Sequence, residues 1–237
     1  DESPKLLTVA WLIATLVPNI PHPVLVIHGP QGSGKSSACR IFRSLVDPSS
    51  LGTMSFPRDH NELVQKLAHH YVAPFDNIDN LSPSQSDMLC RASTGEGFSK
   101  RQLYTDDEDV IYSYRRCVIL NGINIAATRP DLLDRSLLIR LDRIPPEKRR
   151  EEADLEAAFK TAKPEILGGM FDVLSEAIRI RAEIKPQVLP RMADFARWGC
   201  AIAIALGKTS DDFLDAYQRN IRQQNREVLD GQPVAAA

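Results

Sequence analysis

At 237 residues, with 43% hydrophobic and 25% charged side chains, the chain has the composition of a folded protein large enough to bury a substantial core. A formal net charge of −2 and a pI near 6.2 exclude the globally basic footprint of a protein that wraps nucleic acid, so any such contact has to be local. The 4 cysteines, Cys39, Cys90, Cys117 and Cys200, contain no C-x-x-C pair, which argues against a zinc site and a disulfide framework and fits a reduced, cytoplasmic setting.

Taken in chain order, Leu6, Ala10, Ile13, Ala14 and Val17 recur at helical spacing and predict a leading helix that stops before Pro18. The run is too short to span a membrane and lacks a basic flank or cleavage site. The chain opens Asp1-Glu2-Ser3-Pro4 without an initiating Met, as expected of a segment of a longer protein. Pro21 and Pro23 keep the connection extended, and Val24, Leu25, Val26 and Ile27 then read as a buried strand.

The next residues, Gly29-Pro30-Gln31-Gly32-Ser33-Gly34-Lys35-Ser36, match the phosphate-binding pattern G-x-x-x-x-G-K-[ST], between a strand and a helix as that pattern requires. Glycines let successive N–H groups point into one concavity, which the N-terminus of the following helix extends. Lys35 would reach the β- and γ-phosphates, Ser36 would place its hydroxyl on Mg²⁺, and Ser37 would continue the cradle. ATP and Mg²⁺ are therefore the expected ligands. A plain Gly-rich turn before a helix is the alternative.

Cys39, Ile41, Phe42, Leu45 and Val46 give the following helix its apolar face, ending near Asp47-Pro48. A short strand at 53–56, a helix at about 59–69 and a buried strand at 71–75 that terminates at Asp76 come next. Ser82-Pro83-Ser84-Gln85 is a capping box with proline at the first helical position. Residues 97–114 combine basic residues, aromatics and a polar turn, and predict a projecting β-hairpin. Residues 117–120, closed by Asn121-Gly122, and residues 137–141 are the last buried strands. From Pro145 onward the spacing is helical, in four groups: Leu155/Phe159, Leu167/Phe171/Leu174/Ile178, Met192/Phe195/Ile202/Leu206 and Phe213/Tyr217/Ile221.

The expected fold is thus α/β, a P-loop NTPase-type parallel sheet flanked by helices, with a C-terminal all-helical lid of four helices. Residues 1–22 form the leading helix and linker, 23–145 the core, 146–230 the lid, and 231–237 a disordered tail. Ligands of open α/β sheets collect at strand ends. Asp76 is placed there to hold a metal, or else to form a turn. Asn121 is placed to orient water or touch the γ-phosphate, or else to form an Asn-Gly turn.

This order of loop, Asp-ended strand, hairpin and Asn-ended strand resembles the AAA+ ATPases, in particular their superfamily 3 helicase branch, over residues 24–141. More narrowly, FDNI, TGEGFSKRQLYTDDE, VILNGI, ATRPDLLDR and LPRMADF are similar to ATP-binding replication proteins, of primase-helicase type, from phages and bacterial mobile elements. The resemblance implies that Lys35 and Ser36 are the Walker A pair, Asp76 the Walker B aspartate and Asn121 sensor 1. It also implies that Arg135 is an arginine finger, with Arg129 its rival, and that Arg191 is a lid sensor 2. Arg135 could instead be a structural partner of Asp131 or Asp134. Such ATPases follow the Walker B aspartate with an acidic residue; here Asn77 stands in that place and cannot act as a general base. Asp79, just past the strand end, is the favoured substitute, with an ordinary loop aspartate as the alternative.

An arginine finger normally comes from a neighbouring subunit, which implies a homo-oligomeric ring such as a hexamer. The hairpin's Lys100, Arg101 and Tyr104 would contact single-stranded DNA, with Arg115 and Arg116 at its base, although Asp106, Asp107, Glu108 and Asp109 oppose a phosphate backbone there. Two functions follow: an ATP-driven motor on nucleic acid, or an ATP-dependent switch acting on a protein partner with slow or no hydrolysis. A small-molecule kinase leaves the arginine near the last strand and the helical end unexplained. No membrane partner is expected.

Overall fold

The structure is a computed structural model that describes residues 2–95, 98–101, 109–112, 115–124, 127 and 129–230. Five strands form one parallel sheet in the order β2 (Met54–Ser55), β3 (Val72–Asp76), β6 (Cys117–Gly122), β1 (Val24–His28), β7 (Ser136–Arg140). β4 (Phe98–Arg101) and β5 (Asp109–Tyr112) pair antiparallel as a separate ribbon. The turn expected at 102–108, with Tyr104, and the tail at 231–237 lie outside the described residues.

Every residue of β1 and β6 is buried, as the central strands of a sheet covered on both faces must be. Strand alternation sorts their side chains onto two layers. Leu25, Ile27, Cys117, Ile119, Leu137 and Ile139 face α1 (Ser3–Ala14), α2 (Lys35–Val46) and the C-terminal helices. Val24, Val26, Ala73, Phe75, Val118 and Leu120 face α3 (His60–His69), α4 (Pro83–Thr94) and the short α5 (Pro130–Leu133). Both bonds of the Ser82/Gln85 capping box form at the start of α4.

Three helices, not four, make up the C-terminal part: α6 (Glu152–Ile180), α7 (Ala193–Ala205) and α8 (Ser210–Asp230). The groups Leu155/Phe159 and Leu167/Phe171/Leu174/Ile178, expected as two helices, lie on one, because α6 runs through Pro164. A proline removes one backbone hydrogen bond and disfavours helix at the residue before it. Here the preceding Lys163 also anchors the helix sideways, its Nζ donating to Ser44 O on α2 at 2.7 Å.

The leading helix α1 packs against α7 and α8 rather than standing apart. Its exit is pinned by Trp11 Nε1–H to Pro23 O (2.8 Å), His22 Nε2–H to Ala14 O (2.9 Å) and Tyr71 O–H to Thr15 O (2.7 Å). One apolar cluster runs without interruption from the sheet through α1 to α6, α7 and α8, so the helical end is fused to the sheet. α8 also covers the edge strand β7: Asn220 accepts from Leu138 N–H (3.0 Å) and donates to Leu138 O (2.6 Å), and Gln224 donates to Ser136 O (2.8 Å). These amides stand where another strand would pair, closing an edge that is otherwise open to association. Among the described residues, no helix is long and apolar enough to cross a membrane.

Candidate nucleotide site

β1 delivers the chain into the glycine loop at the C-terminal end of the sheet, where three glycines take backbone angles that side chains resist. Gly29, Gly32 and Gly34 have φ of 145°, 75° and 82°, and Gly34 caps α2 in the left-handed region. At Gly29 a Cβ would stand 2.1 Å from Leu141 O, so only glycine fits beneath the chain leaving β7. The first N–H groups of α2 have no intrahelical acceptor and face this loop. Lys35 folds back over it, donating to Gly29 O (2.8 Å), Pro30 O (3.0 Å) and Ser33 Oγ (3.3 Å). The ammonium thus sits against the loop's own oxygens, where an anion could draw it away.

Asp76 ends β3, and β6 lies between β3 and β1, so two strand spacings, about 10 Å, separate the carboxylate strand from the loop strand. The gap is bridged by Asn121. Its Nδ2 donates to Cys39 Sγ on α2 (3.4 Å), its Oδ1 accepts from Asn77 N–H (3.2 Å), and its backbone O accepts from Ile78 N–H (2.9 Å). Burial, with the negative Asp76 nearby, pushes the Cys39 thiol up to about 11, so Cys39 stays a neutral packing group between helix and carboxylate. Ser36 lies one turn before Cys39 on the same helix face, on the side of Asn121 and Asp76. Asn121 itself is buried and acts as a strut between α2, β6 and the turn after Asp76.

That turn explains the residue after Asp76. Asn77 has φ 57°, the one non-glycine residue with positive φ among the described residues. Asparagine is the side chain that best tolerates this left-handed region, so the backbone accounts for an amide where an acid was expected. Gly122 is fixed by the same turn, since a Cβ there would meet Ile78 O at 2.2 Å. Asp79 is exposed and shares with Asp76, Asn77 and Arg58 a cleft of 560 Å³.

The arginines lie elsewhere. β1 and β7 are parallel, with Val24 level with Ser136, so Arg135 sits at the N-terminal edge of the sheet, opposite the loop. It donates to Asp131 at 2.6 Å. Arg191, expected as a lid sensor 2, is at this same edge, on Asp131 (2.6 Å) and Asp134 (3.3 Å). A five-residue strand separates them from the loop by at least ~13 Å. Arg191 joins Arg135 because the segment before α7 packs beside α5, a tertiary contact no local pattern announces. Against partial loss of hydration, the Cys90 thiol and both arginines hold the Asp131 carboxyl below its ordinary range.

Lys100 and Arg101 are on β4, level with Val110 and Asp109. Arg115 and Arg116, beside Gly95 and Ala92 at the hairpin base, bond backbone carbonyls. Arg115 donates to Thr94 O (3.2 Å) and Asn19 O (2.5 Å), and Arg116 to Leu67 O and to Ala68 O (3.1 Å).

Sequence reasoning missed the segment at 141–150. It crosses the glycine loop, with Leu141 N–H donating to His28 O (2.9 Å) and Ile144 N–H to Gly32 O (3.0 Å). Between segment and loop lies a cavity of 760 Å³ that also takes in Gln31, Ser33 and Ser37. The run Lys148-Arg149-Arg150 behind two prolines was the available signal.

A parallel sheet whose inner strand β1 runs into this loop, with an Asp-ended strand two places away, defines an α/β protein of the P-loop type. The particular family follows from sequence: a profile of the actinomycete integrative conjugative element replication proteins matches residues 2–226, and the chain belongs to that family. No curated protein matches the chain. Among solved structures it is similar to JCV helicase. One structure, with a thiazolopyridine compound bound, is 13% identical over 89% of this chain and 67% of that one, with a TM-score of 0.39. Another X-ray structure of JCV helicase is 14% identical over 93% of this chain and 55% of that one, with a TM-score of 0.41. The chain therefore spans between about half and two thirds of those helicase chains.

Proposed function

We propose that this chain is the ATP-driven, helicase-like part of a replication protein, binding ATP with Mg²⁺ at residues 29–37 and coupling its hydrolysis to movement on DNA. The observation that carries this is the convergence, at one end of the sheet, of the left-handed glycine loop, Lys35 folded into it and the Asp76 strand end linked to α2 through Asn121 and Cys39. Family membership supplies the replication context.

Lys35 would exchange the loop carbonyls for β- and γ-phosphate oxygens. Ser36 and Asp76 suit Mg²⁺, which takes one or two protein oxygens and completes its shell with phosphates and water; once bound it would neutralise phosphate charge. Asp79, beside Asp76 in the cleft, would accept the proton of the attacking water. Asn121 would transmit the state of the site through Asn77 and Cys39. Arg135, with Arg191 beside it, would serve the nucleotide of a neighbouring copy, in a homo-oligomeric ring such as a hexamer. Lys100, Arg101 and Tyr104 would contact single-stranded DNA.

One observation favours a second reading, an ATP-dependent switch acting on a protein partner: the position directly after Asp76 holds a left-handed asparagine, Asn77, and not an acid. ATPase assays with and without single-stranded DNA separate the two. The motor requires turnover that DNA stimulates, abolished by Lys35→Ala. Arg135→Ala should keep nucleotide binding and lower turnover by about 10³-fold or more. ATP binding without turnover by an assembled oligomer on DNA at low salt would select the switch, and a wild-type chain that binds no nucleotide would reject both.

A further inference from the structure

We infer that residues 143–150 form the second wall of the nucleotide site, and that Arg149 is the same-chain guanidinium that contacts the phosphates of a bound nucleoside triphosphate. This rests on the nucleotide reading above and extends it to residues that no motif marks.

The cavity between loop and segment has an uneven chemistry. Its lining includes four cationic side chains, Arg143, Lys148, Arg149 and Arg150, and no carboxylate, in a chain whose net charge is −2. Among the described residues none of the four is in an ion pair. The rest of the lining includes the apolar side chains Ile41, Leu141, Ile144 and Leu155. A ligand suited to both kinds of lining carries several negative charges together with a flat apolar body. Its volume of 760 Å³ is within the range of small-molecule sites. A nucleoside triphosphate matches, with phosphates between loop and cations and the base against the apolar lining.

Arg149 stands out among the four because backbone geometry fixes where it points. Pro145 and Pro146 lead into a single 3-10 turn, Pro146–Lys148, and Arg149 N–H closes it on Pro146 O at 3.3 Å. The side chain then turns back, Nε donating to Ile144 O at 3.3 Å, while Ile144 N–H is itself bound to Gly32 O. Arg149 Nη2 ends 3.5 Å from where a Cβ on Gly32 would stand, directly over the loop. Its terminal nitrogens make no hydrogen bond among the described residues. A guanidinium held this way presents parallel donors to phosphate oxygens with little ordering left to do. Arg191 cannot share this role in its own chain from the opposite edge of the sheet.

The test is titration of wild type, Arg149→Ala, Arg149→Lys and Lys35→Ala with ATP, ADP and adenosine by calorimetry, and with inorganic tripolyphosphate as competitor. Loss of one charge-assisted contact should weaken ATP binding by Arg149→Ala about 10- to 100-fold. The loss should be smaller for ADP and under about twofold for adenosine, the salt dependence of ATP binding should become shallower, and Arg149→Lys should recover part of the affinity. Tm should not move, since the side chain is exposed; if Arg149→Ala misfolds, Arg149→Gln keeps the stem and removes the charge. Equal losses for all three ligands would mean a structural role and overturn the inference. So would an ATP loss under twofold in Arg149→Ala while Lys35→Ala abolishes binding, which leaves the nucleotide reading standing. A wild-type chain that binds neither ATP nor tripolyphosphate removes the reading and the inference together.

Discussion

Replacing Asn220 by alanine should unfasten α8 from the sheet, and the cost can be worked from its partners. The carboxamide satisfies both the N–H and the C=O of Leu138, at 3.0 and 2.6 Å, and its Oδ1 also accepts from Gln224 Nε2 at 3.0 Å. Leu138 and Asn220 are both buried, so water cannot take over these groups without opening the contact. Orphaning a buried donor or acceptor costs about 1–3 kcal/mol each, and partial relaxation of the edge lowers the sum, giving about 2–4 kcal/mol for Asn220→Ala. In a chain of this size each kcal/mol moves Tm by about 2–4 °C, so a drop of roughly 5–12 °C is expected. Urea unfolding followed by circular dichroism should show a lower midpoint at unchanged slope. Gln218→Ala, on the exposed face of the same helix, should stay within about 0.5 kcal/mol. If Asn220→Ala destabilised no more than Gln218→Ala, the amides would not be what holds α8 on the edge strand.

Other perturbations test other parts. Burial lowers the His22 imidazole to about 4 while its Nε2–H caps Ala14 O, so the folded chain binds fewer protons there than the unfolded chain. Stability should be full above about pH 6.5 and fall by about 3 kcal/mol as pH drops through 4; His22→Gln should flatten this in denaturant titrations at several pH values. His70, lowered by burial and then by Arg43, whose Nη2 it accepts from at 2.8 Å, adds loss of the same sign on acidification. Gly122→Ala, forced against Ile78 O, should cost about 2–4 kcal/mol in urea unfolding and weaken nucleotide binding by displacing the Asp76 turn. Asp79→Asn should lower ATP turnover about 10²- to 10⁴-fold with nucleotide affinity retained, whereas Asn77→Gly should leave both near wild type; turnover unchanged in Asp79→Asn would remove it as the base.

What the sequence disclosed and what it withheld divide along a physical line. Features with a local cause were legible: the glycine loop before α2, the Ser82 capping box, the proline-bounded leading helix, and strands ending at Asp76 and Asn121. Each depends on residues within a few positions of one another. Features decided by distant contacts were not. Arg115 and Arg116 stand at the hairpin base as read, but that their guanidinium groups bond carbonyls at the ends of α3 and α4 was not legible. Leu155/Phe159 and Leu167/Phe171/Leu174/Ile178 looked like two helices, but packing of α6 outweighed the one hydrogen bond that Pro164 removes and made them one. Asn77 looked like a missing acid, and its φ of 57° shows a backbone demand instead. The segment at 141–150 had composition but no motif, and only the close approach of Leu141 to Gly29 places it on the loop.

The two ends of the sheet carry different sets of charged groups. At the C-terminal end are the loop, Lys35, Asp76 and the cationic segment; at the N-terminal end are Arg135 and Arg191, gathered on Asp131 and Asp134. All five strands are parallel, so within the sheet the two ends stay a strand length apart. If the arginines act on phosphate at all, they act on that of another copy, in a head-to-tail contact that repeats until it closes. In the isolated chain their charge is already matched by two carboxylates, so a triphosphate presented by a neighbour has to compete with Asp131 for Arg135. The effect of Asp131→Asn on turnover should therefore depend on assembly. Weakening the competitor should help an oligomer capture the arginine and do nothing for a monomer. A variant equally altered in dilute monomer and in assembled form would place the quartet among ordinary surface ion pairs, which contribute little to stability.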